Sequence, residues 1–513
     1  MPVRRLELIG LAVAVLVPAS LHVFPRGRAR SAYRVSVTTY GTKADGVTDD
    51  SAAMQAALDS VPVEGGTVFV PAGIYRIGTA LVIRKGRTSI TGHGTRSVLR
   101  LVDGVEQDIF IMPTPQSRVG DYPSPVTDIS ISRLTLDGNY NGHLATGPLP
   151  SFFAIQIYRA ERVDMAELWI KDFPYDGITV SNGNHPSNDI TVHDSHISGI
   201  GRNGLHFGYG RNLRASRMWI EDTPSQHWGP HAGSSIDIEV EGKNSFVDGV
   251  TIEDSILERG ATTTTAGDGV AMQNAFGPIS NVTVQRNVIH NHQVGVQAYV
   301  STNTIVRDNW IVDDAGLNVA GYGIEIINSA AKLSNNVLNL LRAPNVRNGI
   351  SISQGHDVSV TGNHIFGSRC ALRLTQSRSG LSVEKNTVAN QFDCSVEPDA
   401  SSTPGLAQVS NNLAPVGSVD QTPPTAVTAL ASGTTISAPT RITIKAKDAG
   451  VGVARVFFFV DGIPERVVKS PPYVVIFEPG RYPTGPHTLS VRAVDNAANL
   501  GALASVDITD SSR

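Results

Sequence analysis

Apolar and polar residues alternate in short segments through most of the chain, and these segments recur at similar spacing. Val282-Thr-Val284 and Ile350-Ser-Ile352 are typical of the alternation. One apolar position of the repeat recurs every 22 to 34 residues, at Ile155, Ile178, Leu205, Ile236, Val270, Val296, Ile324, Ile350 and Leu372. A period of two excludes helical repeats, which need a period near 3.6. The pattern therefore predicts a one-dimensional stack of β-coils, with strands about 4.8 Å apart.

A second position of the repeat is asparagine in consecutive coils: Asn287, Asn309, Asn336, Asn363 and Asn386. Asparagine tolerates the left-handed backbone of a tight turn, and its side-chain amide can both donate and accept hydrogen bonds. We therefore expect these residues to occupy a left-handed turn at one corner of the coils and to form a hydrogen-bonded ladder. Their predicted role is structural.

The N-terminal segment 1–31 differs from the repeat. It contains Arg4 and Arg5, followed by an apolar stretch from Leu8 to Ala19. This stretch is too short to span a bilayer, and its flanks are typical of a secretory signal. We expect an exported protein, secreted or held in the cell envelope, in which residues 1–31 form a signal peptide or an N-terminal membrane anchor.

The C-terminal segment 420–510 also differs, because its short alternating strands are separated by turns at regular spacing. This pattern is typical of a small β-sandwich. The stretches Asp448-Ala-Gly-Val-Gly452 and Pro486-His-Thr-Leu-Ser-Val-Arg-Ala-Val-Asp495 resemble bacterial Ig-like modules of extracellular enzymes. The resemblance implies a spacer or tether, with carbohydrate binding as the alternative.

The start of the repeat region carries a longer signature. It comprises the stretch from Val37 to Leu58, then Gly65-Gly-Thr-Val-Phe-Val-Pro-Ala-Gly-Ile-Tyr75 and Thr91-Gly-His-Gly94. These residues resemble the start of the pectate lyase superfamily, and with the repeat the resemblance covers residues 35–415. It implies an all-β fold: a right-handed parallel β-helix with a short N-terminal capping helix and activity on polysaccharides.

The capping helix is expected over residues 51–60. Asp49 or Asp50 can cap its N-terminus. Its apolar face would close the bottom of the stack with Met54, Ala57 and Leu58.

The charge composition limits the kinds of partner that the protein can bind. Only 17% of the 513 residues are charged and the formal net charge is −4, so there is no global basic field to attract nucleic acid. The 49 glycines suit strands joined by tight turns. We expect a polysaccharide substrate or ligand and no nucleic acid; the oligomeric state stays open.

Strands in register would place their outward residues in columns. One column is Gln156, Thr179, His206, Asp237, Ala271, Gln297, Glu325, Ser351 and Arg373. In Ser235-Ile-Asp-Ile-Glu-Val-Glu241 the carboxylates Asp237, Glu239 and Glu241 share the outward face. Three like charges in a row require a cation, a shared proton or a basic neighbour.

Asp237, Glu239 and His206 are the predicted catalytic residues. His206 should lie one coil from Asp237, at about 5 Å, and a histidine beside a carboxylate makes an acid–base pair near neutral pH. The alternative is a solvated polar stripe. The Cα atoms of Asp237 and Glu239 should be about 6.7 Å apart, which is nearer the separation of an inverting glycosidase pair than of a retaining one.

Loops and strand ends beside this face supply the predicted substrate-binding residues. They are Asp176, Arg202, His227, Trp228 and Glu241. Trp228 could stack on a sugar ring. His227 and His231 have the spacing of a metal pair on a helix, but Gly229-Pro230 argues against a helix there. The sequence requires no cofactor, and its metal ligands stay open; the acidic face is compatible with Ca²⁺.

Cys370 and Cys394 are the only cysteines, and they occupy corresponding positions of consecutive coils. One coil apart, their Cα atoms would be near 5 Å, within the disulfide range. We predict a structural disulfide.

Family motifs do not select one reaction. Asp313-Asp314 stands without the other elements of the polygalacturonase-type hydrolases, and Gly92-His93-Gly94 lies in the N-terminal cap. Arg342-Ala-Pro-Asn-Val-Arg347 matches the arginine pattern of pectate lyases without a matching calcium cluster. The leading hypothesis is an exported carbohydrate-active enzyme, with lyase, hydrolase and epimerase all open. The alternative is a non-catalytic envelope protein that binds or organises polysaccharide.

Overall fold

The computed structural model describes most of the chain between residues 33 and 512. The described ranges are 33–112, 124–142, 151–180, 185–225, 233–240, 242–259, 267–274, 276–313, 321–341, 347–376, 380–389, 391, 393–398, 407–410, 414–415 and 419–512. The expected signal or anchor, 1–31, lies outside these ranges. Within them, no helix has the length and apolarity needed to cross a membrane.

The chain folds as a right-handed parallel β-helix followed by a small β-sandwich. One face of the β-helix is a twelve-stranded parallel sheet, which we call the cleft sheet. Its strands are Leu81–Val82, Phe110–Met112, Ile155–Ile157, Asp176–Val180, Asn203–Phe207, Gly233–Val240, Gly267–Asn274, Val294–Tyr299, Gly321–Ile327, Arg347–Ser353, Cys370–Thr375 and Cys394–Pro398.

The other faces form a continuous 25-stranded sheet. Its strands are Arg34–Ser36, Asp45–Asp49, Gly66–Phe69, Gly73–Ile77, Thr88–Thr91, Ser97–Leu101, Val126–Asp137, Ala160–Lys171, Ser187–Ser198, Gly210–Glu221, Val247–Glu253, Ile256–Glu258, Ile279–Gln285, Val288–His290, Ser301–Thr302, Thr304–Arg307, Trp310–Val312, Ala331–Ser334, Val337–Asn339, Ser359–Thr361, His364–Phe366, Leu381–Glu384, Thr387–Ala389, Ala407–Ser410 and Ala414–Pro415. The inward apolar residues of all faces make one core that runs from Val37 to Val388, because the strand alternation puts every second side chain inside.

The N-terminal end is closed by the expected helix, Ser51–Asp59. Oδ1 of Asp49 accepts a hydrogen bond from the backbone N–H of Ser51 at 2.9 Å, while the Asp50 carboxylate accepts instead from Lys43 and Ala44. The apolar face of the helix is buried, as predicted. Within the described ranges, short 3-10 helices are formed by Val37–Tyr40, Gly94–Arg96 and Tyr140–Gly142.

The asparagine ladder forms, but not at the predicted backbone position. Nδ2 of Asn336 donates to Oδ1 of Asn363 at 2.9 Å and to the carbonyl of Val306 at 2.9 Å. The same contacts repeat along the ladder. The left-handed conformation belongs to the residue before each asparagine, such as Asn335 with φ 54°. The asparagine side chains therefore form the hydrogen bonds between coils, and the residue before each asparagine forms the left-handed turn.

Cys370 and Cys394 are joined by a disulfide between paired strands, with their Cα atoms 4.6 Å apart. The bond links two consecutive coils near the C-terminal end of the stack.

The C-terminal module is a sandwich of a three-stranded and a five-stranded sheet. Its strands are Thr425–Thr428, Thr434–Ile436, Thr440–Lys447, Val453–Val460, Ile463–Val468, Val474–Phe477, Gly485–Asp495 and Ala504–Asp510. The module packs against the 25-stranded sheet through an apolar cluster that includes Trp219 and Phe459, whose ring centroids are 5.1 Å apart. Arg455 and Arg492 add ion pairs to Asp254 and Glu258 at 2.6 and 2.7 Å. The cleft sheet is left uncovered by this contact.

Candidate functional site

The register of the cleft sheet produces the predicted polar column. Thr179 pairs with His206, His206 with Asp237, Asp237 with Ala271, and Ala271 with Gln297. The column continues to Glu325, Ser351 and Arg373. The period-two pattern fixes this register because a slip by one residue would turn every apolar side chain outward.

The strand Gly233–Val240 supplies the acidic centre of the column. Ile236, Ile238 and Val240 are fully buried in the core, so Asp237 and Glu239 point to the other face. Asp237 is nevertheless only 5% exposed, whereas Glu239 is partly exposed. The carboxyl at the centre of the site is therefore withdrawn from water.

His206, Asp237 and Glu239 come together as predicted. Each offers one nitrogen or oxygen atom that lies within 4.8 Å of the other two. Asp237 and Glu239 line the cleft. His206 is only 1% exposed and lies beneath them, so it can orient or charge-stabilise Asp237 but does not line the cleft.

One oxygen of Asp237 and one oxygen of Glu239 lie within 4.8 Å of each other. The ranges for retaining pairs, about 5–5.5 Å, and for inverting pairs, roughly 6.5–9.5 Å, are separations between whole carboxyl groups. The contact therefore brings the two groups close enough to act on one sugar and does not select between the two routes.

Arg202 and Asp176 form a closed ion pair at one end of the cleft. Arg202 donates from Nε and Nη2 to the two oxygens of Asp176, each at 2.8 Å, and stacks its guanidinium 4.2 Å from the ring centroid of Tyr175. Asp176 is fully buried, and Thr179 also donates to it at 3.0 Å. Arg202 lines the cleft; Asp176, predicted to bind substrate, instead anchors Arg202 from below.

Asn203 is a site residue that the sequence reasoning missed. Its Nδ2 donates to Oδ2 of Asp237 at 3.1 Å, and its Oδ1 accepts from the backbone N–H of Ser234 at 2.8 Å. Oδ1 of Asp237 is buried and has no hydrogen-bond partner among the described residues. Asn203 thus fixes one oxygen of Asp237, while the other is buried without a hydrogen-bond partner among the described residues.

Burial dominates the electrostatics of the cleft. It raises the pKa of Asp237 to about 7; the charges of Glu239 and Asp176 add to this, whereas His206 and Arg202 oppose it. Burial also raises the pKa of Asp268 to about 7, with help from the charges of Glu325 and Asp237. The cleft therefore holds carboxyl groups that carry protons near neutral pH.

The cleft continues over later coils. Glu325, whose pKa is raised by burial, accepts a hydrogen bond from Nε2 of Gln297 at 2.9 Å. Arg373 donates to the hydroxyl of Tyr322 at 3.1 Å. Together these residues give the cleft polar donors and acceptors along the direction in which the coils stack.

The sequence reasoning also missed Asp268 and Tyr322. These two residues and Asn203 were overlooked for one shared reason. All three stand directly before a glycine of the cleft sheet, in a column that also contains Asp176 and Asn348. By alternation this position belongs to the apolar phase. A polar residue directly before the repeat glycine, where an apolar residue is expected, is the sequence signal that could have identified them.

Other predicted residues lie outside the described ranges. His227, Trp228 and Glu241, predicted to bind substrate, are among them. The same holds for His231.

Three protein families match parts of the chain. Residues 34–229 match the family described as rhamnogalacturonase A/epimerase, pectate lyase-like. Residues 423–491 match a bacterial Ig domain, and residues 248–404 match a family of periplasmic copper-binding proteins, NosD.

Individual relatives share shorter stretches. The pre-neck appendage protein of Bacillus phage phi29 is 30% identical over 211 residues, which are 37% of this chain and 23% of that protein. Mannuronan C5-epimerase AlgE2 of Azotobacter vinelandii is 30% identical over 182 residues, 32% of this chain and 17% of that protein. The chain thus spans less than a quarter of the length of these relatives.

One solved structure aligns with most of the chain. PfbA, a surface adhesin of Streptococcus pneumoniae, aligns over 75% of this chain and 93% of its own with 16% identity and a TM-score of 0.47.

Proposed function

We propose that this chain, a pectate lyase-like right-handed parallel β-helix protein with a C-terminal bacterial Ig-like module, modifies a polysaccharide bound along the cleft sheet. Asp237 and Glu239 are the proposed catalytic residues. His206 and Asn203 are positioning residues, because both act on Asp237 from positions that are almost fully buried. Arg202 and Tyr322 line the same cleft and are proposed to contact the sugar chain.

One observation carries the proposal. A buried carboxyl whose pKa is raised to about 7 lies beside a second, more exposed carboxyl in an open cleft. Two carboxyl groups whose surroundings differ in this way can divide the roles of proton donor and of nucleophile or base. A solvated polar stripe would not bury its central acid.

Cleavage of a glycosidic bond fits this pair best. Asp237 would give its proton to the glycosidic oxygen while Glu239 attacks the anomeric carbon and the leaving sugar departs. Water would then attack the glycosyl–enzyme bond, with Asp237 taking the water's proton. One oxygen of each carboxyl group lies within 4.8 Å of the other, close enough for both groups to act on one glycosidic bond.

A second candidate reaction is removal of the C5 proton of a uronic acid. It is supported by the likeness to a mannuronan C5-epimerase over 182 residues. Return of a proton to C5 gives the epimer, whereas departure of the C4 substituent gives an unsaturated product. The carboxylates of the cleft would repel an acidic sugar, so this reaction needs a cation at the site.

We further propose that the protein works outside the cytoplasm. The bacterial Ig-like module and the disulfide between Cys370 and Cys394 support this location, because disulfides persist mainly in oxidising compartments. A non-catalytic polysaccharide-binding protein is the rival proposal, and the assay below separates the two.

The test is a panel of neutral and acidic polysaccharides incubated with the full chain in buffered D₂O. New reducing ends without ultraviolet absorbance indicate hydrolysis, absorbance of unsaturated products indicates elimination, and deuterium at C5 without cleavage indicates epimerisation. Asp237→Asn and Glu239→Gln should each abolish the product, whereas the exposed Glu64→Gln should not. Binding without any product would favour the rival proposal, and activity that survives both cleft substitutions would refute this site.

A further inference from the structure

Two carboxyl groups that line the cleft and the imidazole buried below them form a cluster with the composition of a metal site. We propose that His206, Asp237 and Glu239 bind one divalent transition-metal ion, of the class of Zn²⁺ or Mn²⁺. This inference goes beyond the proposed function and does not depend on it, because metal binding is measured without polysaccharide.

Geometry is the first support. The three candidate ligand atoms all lie within 4.8 Å of one another. Two ligands on one ion at bond lengths of about 2.0–2.2 Å are about 3–4.4 Å apart. Small side-chain movements therefore suffice to bring the three atoms onto one ion.

The orphaned oxygen of Asp237 is the second, independent support. Only 5% of Asp237 is exposed, and its Oδ1 has no hydrogen-bond partner among the described residues. A buried carboxylate oxygen without a partner is costly, and a metal ion would satisfy it. Asn203 already holds the other oxygen at 3.1 Å and would orient the ligand, as outer residues do in metal sites.

The ligand set selects the class of metal. Ca²⁺ prefers six to eight oxygen ligands, whereas an imidazole with two carboxylates suits Zn²⁺, Mn²⁺ and similar ions. This differs from the calcium ion considered from the sequence. The copper-binding family match covers residues 248–404 and contains none of the three ligands, so it does not contribute to the inference.

A second acidic group provides a contrast and a control. Asp420, Asp448 and Asp495 of the Ig-like module also approach one another within 4.8 Å. Each accepts a hydrogen bond from a backbone N–H group of the module. Oδ1 of Asp448 is also buried without a hydrogen-bond partner among the described residues, but Asp448 itself is only half-buried and the group contains no imidazole. This group is therefore the competing site that Asp448→Asn tests.

A bound ion would change what the cleft can accept. Asp237 and Glu239 line the cleft, so the remaining coordination positions would face bound sugar. The ion would offset the repulsion between these carboxylates and an acidic sugar. A bound ion would keep Asp237 ionised, so it is incompatible with the proton-donor role of Asp237 in the retaining route. It would instead serve the second candidate reaction, removal of the C5 proton of a uronic acid.

The test uses untagged full-length protein, freed of metal with chelator and titrated by calorimetry with ZnCl₂, MnCl₂ and CaCl₂. We expect one Zn²⁺ or Mn²⁺ per chain and weaker Ca²⁺ binding. Glu239→Gln should weaken binding at least about tenfold, and Asp237→Asn should abolish it. Asp448→Asn should leave it unchanged.

Three results would overturn the proposal: no binding by the wild type, Ca²⁺ bound more tightly than Zn²⁺ and Mn²⁺, or binding that only Asp448→Asn removes. Circular dichroism of each variant checks folding, and the partly exposed Glu239→Gln keeps the test valid if Asp237→Asn does not fold. Mn²⁺ electron paramagnetic resonance gives a readout that is independent of heat and of activity. Failure to bind metal would leave the polysaccharide assay above unaffected.

Discussion

Nδ2 of Asn203 lies 3.1 Å from Oδ2 of Asp237, one coil away. The same amide accepts from the backbone N–H of Ser234 through its oxygen, which fixes the orientation of the amide. Asn203 can therefore only donate to Asp237. This single contact aligns a cleft carboxyl whose pKa is raised by burial, and it comes from a residue on the apolar phase of its strand.

Asn203→Ala should reduce kcat by about 10–100-fold with a smaller change in KM, because Asp237 loses its alignment while the cleft wall remains. Steady-state kinetics on the active polysaccharide would measure this. Asn348→Ala is the matched control, since Asn348 occupies the same column several coils away. An equal loss in both variants would indicate a general packing effect and contradict the positioning role.

The pH dependence of the reaction follows from the raised pKa of Asp237. As a proton donor, Asp237 is active only below its pKa of about 7, so kcat/KM should fall as pH rises through about 7. Asn203→Asp places another carboxylate beside Asp237 and should move this fall to higher pH. A flat profile between about pH 6 and 9, or an unchanged midpoint in Asn203→Asp, would contradict the assignment.

The same group should affect stability with a definite sign. The folded-state pKa of Asp237, about 7, lies above its ordinary value of 3.8, so the folded protein binds more protons and loses stability as pH rises between these values. Asp237→Asn removes this loss. In metal-free buffer, the stability of Asp237→Asn relative to wild type should therefore increase between pH 4 and pH 8, and its free energy of unfolding should become larger than that of wild type by about 2–4 kcal/mol over this range.

Chemical denaturation at the two pH values measures this difference. Glu64→Gln serves as the control because Glu64 is exposed and should show little dependence. A wild-type protein that gains stability relative to Asp237→Asn as pH rises would mean that Asp237 is ionised and compensated in the folded state.

The sequence predicts the register of the site but not its depth. Alternation alone places His206 next to Asp237, and the structure agrees. It cannot show that His206 and Asp176 are almost fully buried, because alternation assigns a side chain to a face of the strand but not the depth at which neighbouring coils cover it. It also places Asn203 on the apolar phase, although Asn203 contacts Asp237.

The ladder illustrates a similar limit. Sequence periodicity identifies the asparagine column, yet the left-handed turn lies at the preceding residue. An asparagine whose amide already bonds the coils on both sides has no freedom left to make the turn's own contacts. The spacing of the asparagines predicts that their side chains form a ladder. It does not predict which residue adopts the left-handed conformation, because that depends on whether the asparagine amide bonds the neighbouring coils or its own turn.

Removal of one ladder rung should be costly. Asn336→Ala removes the acceptor of the backbone N–H and of Nδ2 of Asn309, and the amide that donates to the carbonyl of Val306. We expect a loss of about 3–5 kcal/mol in the free energy of unfolding, since each unsatisfied buried group costs about 1–3 kcal/mol. Asn335→Gly is the control, because it keeps the left-handed turn and should change stability by less than about 1 kcal/mol. Equal effects of the two variants in chemical denaturation would show that the ladder does not stabilise the stack.

The contact between the Ig-like module and the β-helix should make the two unfold together. Phe459 is 1% exposed and packs against Trp219 of the β-helix, whereas its neighbour Phe458 points into the module's own core. Phe459→Ala should therefore weaken the interface by about 3–5 kcal/mol and split the thermal transition into two. Phe458→Ala loses the same volume and should lower the stability of the module instead. Differential scanning calorimetry of both full-length variants distinguishes these outcomes, and a single, unshifted transition in Phe459→Ala would show that the apolar interface does not couple the two parts.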